Sequence, residues 1–207
     1  VAQAANKAFE KGVSTFSAAG NEGNDTWHYI SSPGDAYNII TVGAVDSLKK
    51  IADFSSRGPT SDGRIKPEIT AMGVSVYYAN TSNKYGKGSG TSYATPIAAG
   101  IAGLLKSAYP NLTNKQIREI FIACGDSADS PNNDRGYGLI SAKRVICYPN
   151  IDTTNGVVLN KIFINSSESI NTSSVTVHYR FETGEYRSAE MNFDGNYKYN
   201  YPLSTSQ

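Results

Sequence analysis

The sequence predicts an α/β unit built on a parallel sheet, followed by a β-rich segment of different composition. Three observations carry this. Amphipathic helical stretches alternate with short apolar runs over residues 1–147. The runs "VSTFSAAG" (Val13 to Gly20) and "NIITVGAV" (Asn38 to Val45) are bounded by turn residues, as buried parallel strands are. Beyond Pro149 the period of the apolar residues changes from helical to two.

The first helix is read over "VAQAANKAFEKG", where Val1, Ala4, Ala5, Ala8 and Phe9 share one face and Gly12 supplies the stop. A chain opening inside such a helix, with neither Met nor a cap, is expected to be a fragment. After the two buried strands, "FSSRGPTSDGRIKP" is a polar loop punctuated by Gly58, Pro59, Gly63 and Pro67, and "EITAMGVSVYYA" carries two short strands around Gly73. Next, Ala94, Ile97, Ala98, Ile101, Ala102, Leu104, Leu105 and Ala108 recur at helical spacing with almost no polar face. They predict a buried helix over Thr91 to Ala108, ended by Tyr109-Pro110. "LTNKQIREIFIACG" is a further helix, with Thr113 as N-cap, Gln116 completing a capping box and Gly125 as the stop. "RGYGLISAKRVIC" makes a turn and a last short helix.

Residues 151–207 are expected to form a separate module. "SSVTVHYRFE" places Val175, Val177, Tyr179 and Phe181 on one face, the pattern of a half-buried antiparallel strand. "VVLNKIFIN" is a second strand and "NYKYNY" an edge strand. Together they read as the start of a β-sandwich, cut short at Gln207.

With 207 residues and a formal net charge of +1, the chain has no basic block for nucleic acid. It also has no apolar run long enough for a membrane span and no signal-peptide pattern. Cys124 continues the apolar face of Ile117, Ile120 and Phe121, so a buried thiol is its default reading, with a disulfide to Cys147 as the alternative in an exported protein.

The chemistry centres on "GSGTSYATPIAAG", Gly88 to Gly100, which sets Ser92 between a Gly-rich approach and the buried helix. A helix start presents unpaired N–H groups and a positive dipole end, which suits a serine whose substrate becomes an oxyanion. Ser and Thr are equally the ordinary caps of helices, and the motif taken alone favours that reading.

Several motifs in order change the balance. "SAAGNEG", "ITVGAVD", "FSSRGPTSDGRIKPEITAMG", "GSGTSYATPIAAG", "YPNLTNKQI" and "GYGLISA" follow one another at compact spacing. In them the chain resembles the C-terminal half of the subtilisin-like serine protease domain, over residues 1–147. The resemblance implies a three-layer α/β/α sandwich with a mostly parallel sheet, and peptide-bond hydrolysis through an acyl-enzyme. It implies Ser92 as the nucleophile and Asn21 as the side-chain donor of the oxyanion hole. Asn21 is otherwise an ordinary turn residue, but it follows a buried strand, where open α/β sheets put their ligand crevice. Ala18, Ala19 and Gly20 would form a wall of the pocket for the residue before the scissile bond. Glu22 would stand at its rim and favour a basic side chain there, against the plain alternative of a solvated loop carboxylate. Tyr93, Met72 and Pro96-Ile97 depart from the family's usual residues.

A serine nucleophile needs a base, and the base an orienting carboxylate. In subtilisin-like proteases both precede the matched segment, so they are expected upstream, and the partner this chain requires is the other half of the same domain. His28 reads as a surface or subsite residue beside Trp27, and His178 as part of a strand. Two other classes stay open. An α/β-hydrolase esterase would use Ser92, one of Asp126, Asp129 or Asp134, and His178, although Ala94 stands where its elbow requires Gly. A non-catalytic secreted binding protein on a protease-like scaffold is the other. The resemblance further implies a polypeptide substrate, an extracellular or cell-surface location, no cofactor for the chemistry, and structural calcium as in other members. Asp25, Asp35 and Asp46 form no calcium loop of recognisable spacing.

Overall fold

The structure is a computed structural model describing residues 1–163, 174–180, 184–195 and 198–203. They fall into two compact units, Val1–Val145 and Ile146–Gln207. The first is α/β with a parallel sheet, the fold class expected from the sequence. Its strands β1 (Phe16–Ala18), β2 (Ile40–Val45) and β3 (Ile69–Met72) lie in the order β1-β2-β3. Ser17 pairs with Thr41, and Gly43 with Thr70. Every residue of β2 is buried, which is why it reads as a continuous apolar run.

Two helices pack around this sheet. α2 (Thr91–Ala108) contacts all three strands through Ala94, Ala98, Ile101, Ala102 and Leu105. Small residues at these positions let helix and sheet approach closely. The all-round burial expected of α2 is not observed: Leu104 is 55% exposed, and Gly100 and Gly103 are exposed beside it. α3 (Asn114–Ala123) begins with the expected capping box between Thr113 and Gln116. It places Phe121 edge-on against Phe16 of β1, with centroids 5.5 Å apart. α1 (Ala2–Glu10) buries no residue, and Val1 and Ala4 of its expected apolar face are exposed. Polar contacts tie it down, with Asn114 Nδ2 donating to Phe9 O at 2.6 Å and Asn38 N to Asn6 Oδ1 at 3.1 Å.

Beyond β3 come β4 (Val76–Ala79) and β5 (Tyr85–Gly88), an antiparallel hairpin leading into α2. β5 carries no strand signal of its own, because its Gly-rich composition has little strand propensity. Leu139, expected in a turn, forms a parallel bridge with Thr70 and extends the sheet past β3. The short helix α4 (Ala142–Cys147) follows. Cys124 is buried, with its Sγ 3.5 Å from Arg144 O.

Periodicity gave no hint of the charge cluster beneath the sheet. Lys66 and Glu68 are 1% and 2% exposed and lie 2.7 Å apart. Glu68 also accepts from Thr41 N at 2.8 Å and from Arg118 Nη2 of α3 at 2.9 Å. Lys66 Nζ further donates to Thr41 Oγ1 at 3.1 Å, and Thr41 Oγ1 to Gly34 O at 2.6 Å. Burial lowers the Lys66 pKa, and Glu68 opposes that shift. The cluster thus joins β2, the approach to β3, α3 and the loop after β1.

In the second unit, β6 (Asn150–Asp152), β7 (Val157–Ile162), β10 (Asn192–Phe193) and β11 (Lys198–Leu203) form an antiparallel sheet ordered β10-β11-β7-β6. β8 (Thr176–Tyr179) and β9 (Arg187–Glu190) form a separate hairpin. Val177, Met191 and Tyr199 make the core, with Val175 and Tyr179 packed against it. Phe181 and Asn165 of the expected strands, and Asn196 and Tyr197 of "NYKYNY", lie outside the described residues. The expected edge strand is an interior one: β11 pairs on both sides, because burying Tyr199 outweighs the polar look of its neighbours.

Removing one member of a buried ion pair strands the other charge and typically costs about 3–5 kcal/mol. Glu68→Gln should therefore destabilise the first unit by about that amount. Adding Lys66→Met should recover more than half of the loss, as read from urea unfolding. A single variant within about 1 kcal/mol of the parent would show that the pair carries no such energy.

Candidate active site

The site is built where β1 ends and α2 begins. Chain emerging from β1 must turn sharply at Gly20, whose φ of +113° favours glycine; a Cβ there would lie 2.3 Å from Glu22 Oε2. The turn delivers Asn21 to the first residue of α2. Thr91 N donates to Asn21 Oδ1 at 2.9 Å. Thr91 Oγ1 lies 3.1 Å from Asn21 Oδ1 and 3.2 Å from Gly20 O, either of which takes its proton. Gly20 N in turn donates to Thr91 Oγ1 at 3.3 Å.

This arrangement bears directly on Ser92. The N-cap position of α2 is Gly90, which has no side chain to cap with, and an acceptor for the helix start comes from Asn21, seventy positions earlier. Ser92 is the second helical residue, exposed, and is not the capping hydroxyl. Its N–H belongs to the first turn, where no helical carbonyl lies behind it to accept. With Oδ1 of Asn21 occupied by Thr91, the side-chain amide N–H groups of Asn21 are left to donate elsewhere. Pro96 lacks the N–H that would otherwise bond the Ser92 carbonyl within the helix. Ser92 and Asn21, placed apart in sequence, thus come to one helix end with a hydroxyl and two kinds of donor.

Ala18 and Gly20 are half-buried and Ala19 is buried. Their carbonyls are partly committed inward, with Ser31 N donating to Ala19 O at 2.9 Å and Ser56 N to Gly20 O at 3.0 Å. A chain lying on this segment would meet a smooth wall of small residues. Glu22 is half-buried and held, Oε2 accepting from Ser56 Oγ at 2.7 Å and Ser31 Oγ at 2.9 Å. The Ser56 hydroxyl, helped by Ser31 and neighbouring N–H groups, lowers the Glu22 pKa against the opposing effect of burial. Glu22 is therefore a fixed negative charge at neutral pH.

Sequence reasoning missed Thr91, Ser31 and Ser56 as the residues that hold Asn21 and Glu22. For Ser31 and Ser56 the signal was the hydroxyl pairs in "ISSPG" and "FSSRG", and for Thr91 its place beside Ser92 in "GTS". Tyr93, beside Ser92, packs at 5.5 Å on Tyr78, and a Cβ on Gly88 would fall 2.2 Å from its Cζ. The β4–β5 hairpin is thereby fitted to the start of α2.

Several of the other nominated groups have partners of their own. His28 is half-buried against Tyr29, centroids 4.3 Å apart. His178, in the second unit, pairs with Ser188 Oγ at 2.7 Å. Asp126 binds Leu139 N at 2.7 Å and Arg135 Nη2 at 3.1 Å, and Asp134 lies 3.6 Å from Arg57. These contacts give the esterase triad no support. Among the described residues no group of three or more His, Cys, Asp or Glu could hold a metal. Asp46, one of the carboxylates considered for calcium, spends Oδ1 on Leu48 N and Lys50 N.

The family model described as "Peptidase_S8: Subtilase family" matches residues 1–139. Serine protease AprX of Bacillus subtilis is 36% identical over 166 residues, covering 70% of this chain and 37% of its own length. Subtilisin DY of Bacillus licheniformis is 43% identical over 117 residues, covering 56% of this chain and 40% of its own length. The chain thus spans about two fifths of these curated relatives. Among solved structures, the self-cleaved protease domain of PatA superposes with a TM-score of 0.59 at 23% identity, over 70% of this chain and 53% of that one.

A carboxylate with a depressed folded pKa stabilises the fold above its unfolded value and loses that contribution as pH falls through the folded one. For Glu22 the unfolded reference is 4.5. The stability difference between the parent and Glu22→Gln should be constant near neutrality and shrink as pH drops below that value. A difference unchanged down to strongly acidic pH, in chemical unfolding, would show that the carboxylate is not held in this way.

Proposed function

The chain belongs to the subtilase family, and from that premise we propose that it carries the nucleophile half of a secreted serine endopeptidase. The observation that supports this most is the shared anchoring of Asn21 and the start of α2 through Thr91, which leaves Ser92 exposed at the helix end. In the proposed reaction Ser92 Oγ attacks the scissile carbonyl. The negative charge that develops on the carbonyl oxygen is met by the N–H of Ser92 and the side-chain amide of Asn21, aided by the α2 dipole. The base that takes the Ser92 proton, and the carboxylate orienting that base, would come from the N-terminal half of the protease domain. No cofactor is needed for these steps, and no calcium site is assigned.

The wall of Ala18, Ala19 and Gly20 would receive the side chain preceding the scissile bond. Glu22, ionised and fixed beside Gly20, would favour a basic one. Extracellular action is inferred from the family, and residues 151–207 are proposed as an accessory β-module. Among the described residues no helix is long and apolar enough to cross a membrane.

Steady-state kinetics on the complete enzyme, with peptides bearing Arg or Leu before the scissile bond, test the reading. Ser92→Ala should abolish turnover. Asn21→Ala should cost about a hundred- to a thousand-fold in kcat, a range taken from subtilisin's own oxyanion asparagine. Glu22→Gln should lower kcat/KM for the Arg peptide alone. Full activity in Ser92→Ala, or equal loss with both peptides in Glu22→Gln, would overturn the corresponding assignment.

A further inference from the structure

A second concave site in the first unit lies outside the proposed catalytic groups. It is a pocket of about 390 Å³ lined by Trp27, Tyr29, Ile30, Asp35, Pro59, Thr60 and Ser61. That is large enough for a side-chain-sized ligand. Its aromatic wall is exposed although hydrophobic, Trp27 by 65% and Tyr29 by 37%, and the two rings stand edge to face at 5.3 Å. Asp35 Oδ1 is buried and has no hydrogen-bond partner among the described residues. The carboxylate of this lining residue makes no ion pair among the described residues, so its charge has no partner within the fold.

The molecule's own neighbouring contacts indicate which donor fits. Arg64 stacks its guanidinium over Tyr37, 3.9 Å from the ring centroid, and donates from Nη2 to Asp35 O at 2.7 Å. The same loop therefore already accommodates one guanidinium between an aromatic face and backbone carbonyls. Arg64 is itself balanced by Asp62, its Nε lying 2.9 Å from Oδ2. The charge of Asp35 is left for a second cation. Planar guanidinium groups combine stacking on aromatic faces with several in-plane donors, which a compact ammonium does not.

We propose that the pocket walled by Trp27 and Tyr29 is a binding site for a guanidinium group on an aliphatic stem, with Asp35 as its anionic partner. Such a group can arrive as a free small molecule or as an arginine side chain of a polypeptide.

Trp27 is the sole tryptophan of the chain, so its emission reports occupancy of this pocket alone. The titration uses the protein carrying Ser92→Ala and Glu22→Gln, so that neither cleavage nor the Glu22 charge beside Gly20 contributes. The probes are agmatine, Ac-Ala-Arg-Ala-amide and the neutral citrulline analogue of that peptide. The expected result is a saturable change in emission with at least one guanidinium probe and none with citrulline; the tighter guanidinium probe identifies the source. Asp35→Asn should weaken binding by about tenfold or more, the size of a lost charge-assisted hydrogen bond. Tyr29→Leu, which leaves the carboxylate in place, should weaken it as well. An emission change that never saturates, an equal response to citrulline, or undiminished binding in both variants would overturn the proposal.

Discussion

The bond from Thr91 N to Asn21 Oδ1 is the contact on which the rest of the site depends. It joins the end of a parallel strand to the beginning of a helix and orients both at once. A helix start needs an acceptor for its first N–H groups, and Gly90 has no side chain to offer one. Supplying that acceptor from Asn21 fixes which end of its amide faces inward. Oδ1 is consumed, which leaves the Nδ2 group as the free end of the amide, near Gly90 at the start of α2. Capping and donor placement are two faces of one hydrogen bond.

The remaining scaffold keeps that bond in register. Gly20 permits the turn that carries Asn21 to α2, while its carbonyl is tied to Ser56 N and the Ala19 carbonyl to Ser31 N. Ser31 and Ser56 also hold Glu22, so one pair of residues braces both the wall and its charge. Further back, Gly34 N donates to Ser31 O, and Gly34 O accepts from Thr41 Oγ1, which belongs to the Lys66–Glu68 cluster. A continuous chain of contacts thus runs from the buried ion pair to the loop bearing Glu22. Buried ion pairs contribute little net stability, but their strict geometry makes them suited to fixing such a loop.

The helices and buried strands were legible in the sequence because their signals are local. The capping box at Thr113 and Gln116, the apolar run of β2 and the limits of α2 all depend on neighbours a few residues away. Contacts that depend on distant partners were not legible. Lys66 reads as a loop charge and Glu68 as the first residue of a strand stretch, because their burial is decided by Thr41 and Arg118. Leu104 read as core from its period, which records apolar spacing and not what covers the face. β11 read as an edge strand from its Asn and Lys, whereas Tyr199 draws it to the interior. Ser92 and Asn21 stand out through family resemblance; from the residues alone, a cap and a turn are the simpler readings. The structure revises the first of these, since Ser92 is the second residue of α2 and its hydroxyl makes no capping bond.

The central claim is that Ser92 is the nucleophile and that its activating base lies in the N-terminal half of the domain. Labelling with a fluorophosphonate, followed by mass mapping of the modified peptide, addresses both parts together. The account predicts one adduct, on Ser92, in the complete protein, and none on residues 1–207 alone, whose two histidines are engaged with Tyr29 and Ser188. An adduct on another residue of the complete protein, or a stoichiometric adduct on the isolated chain, would contradict it.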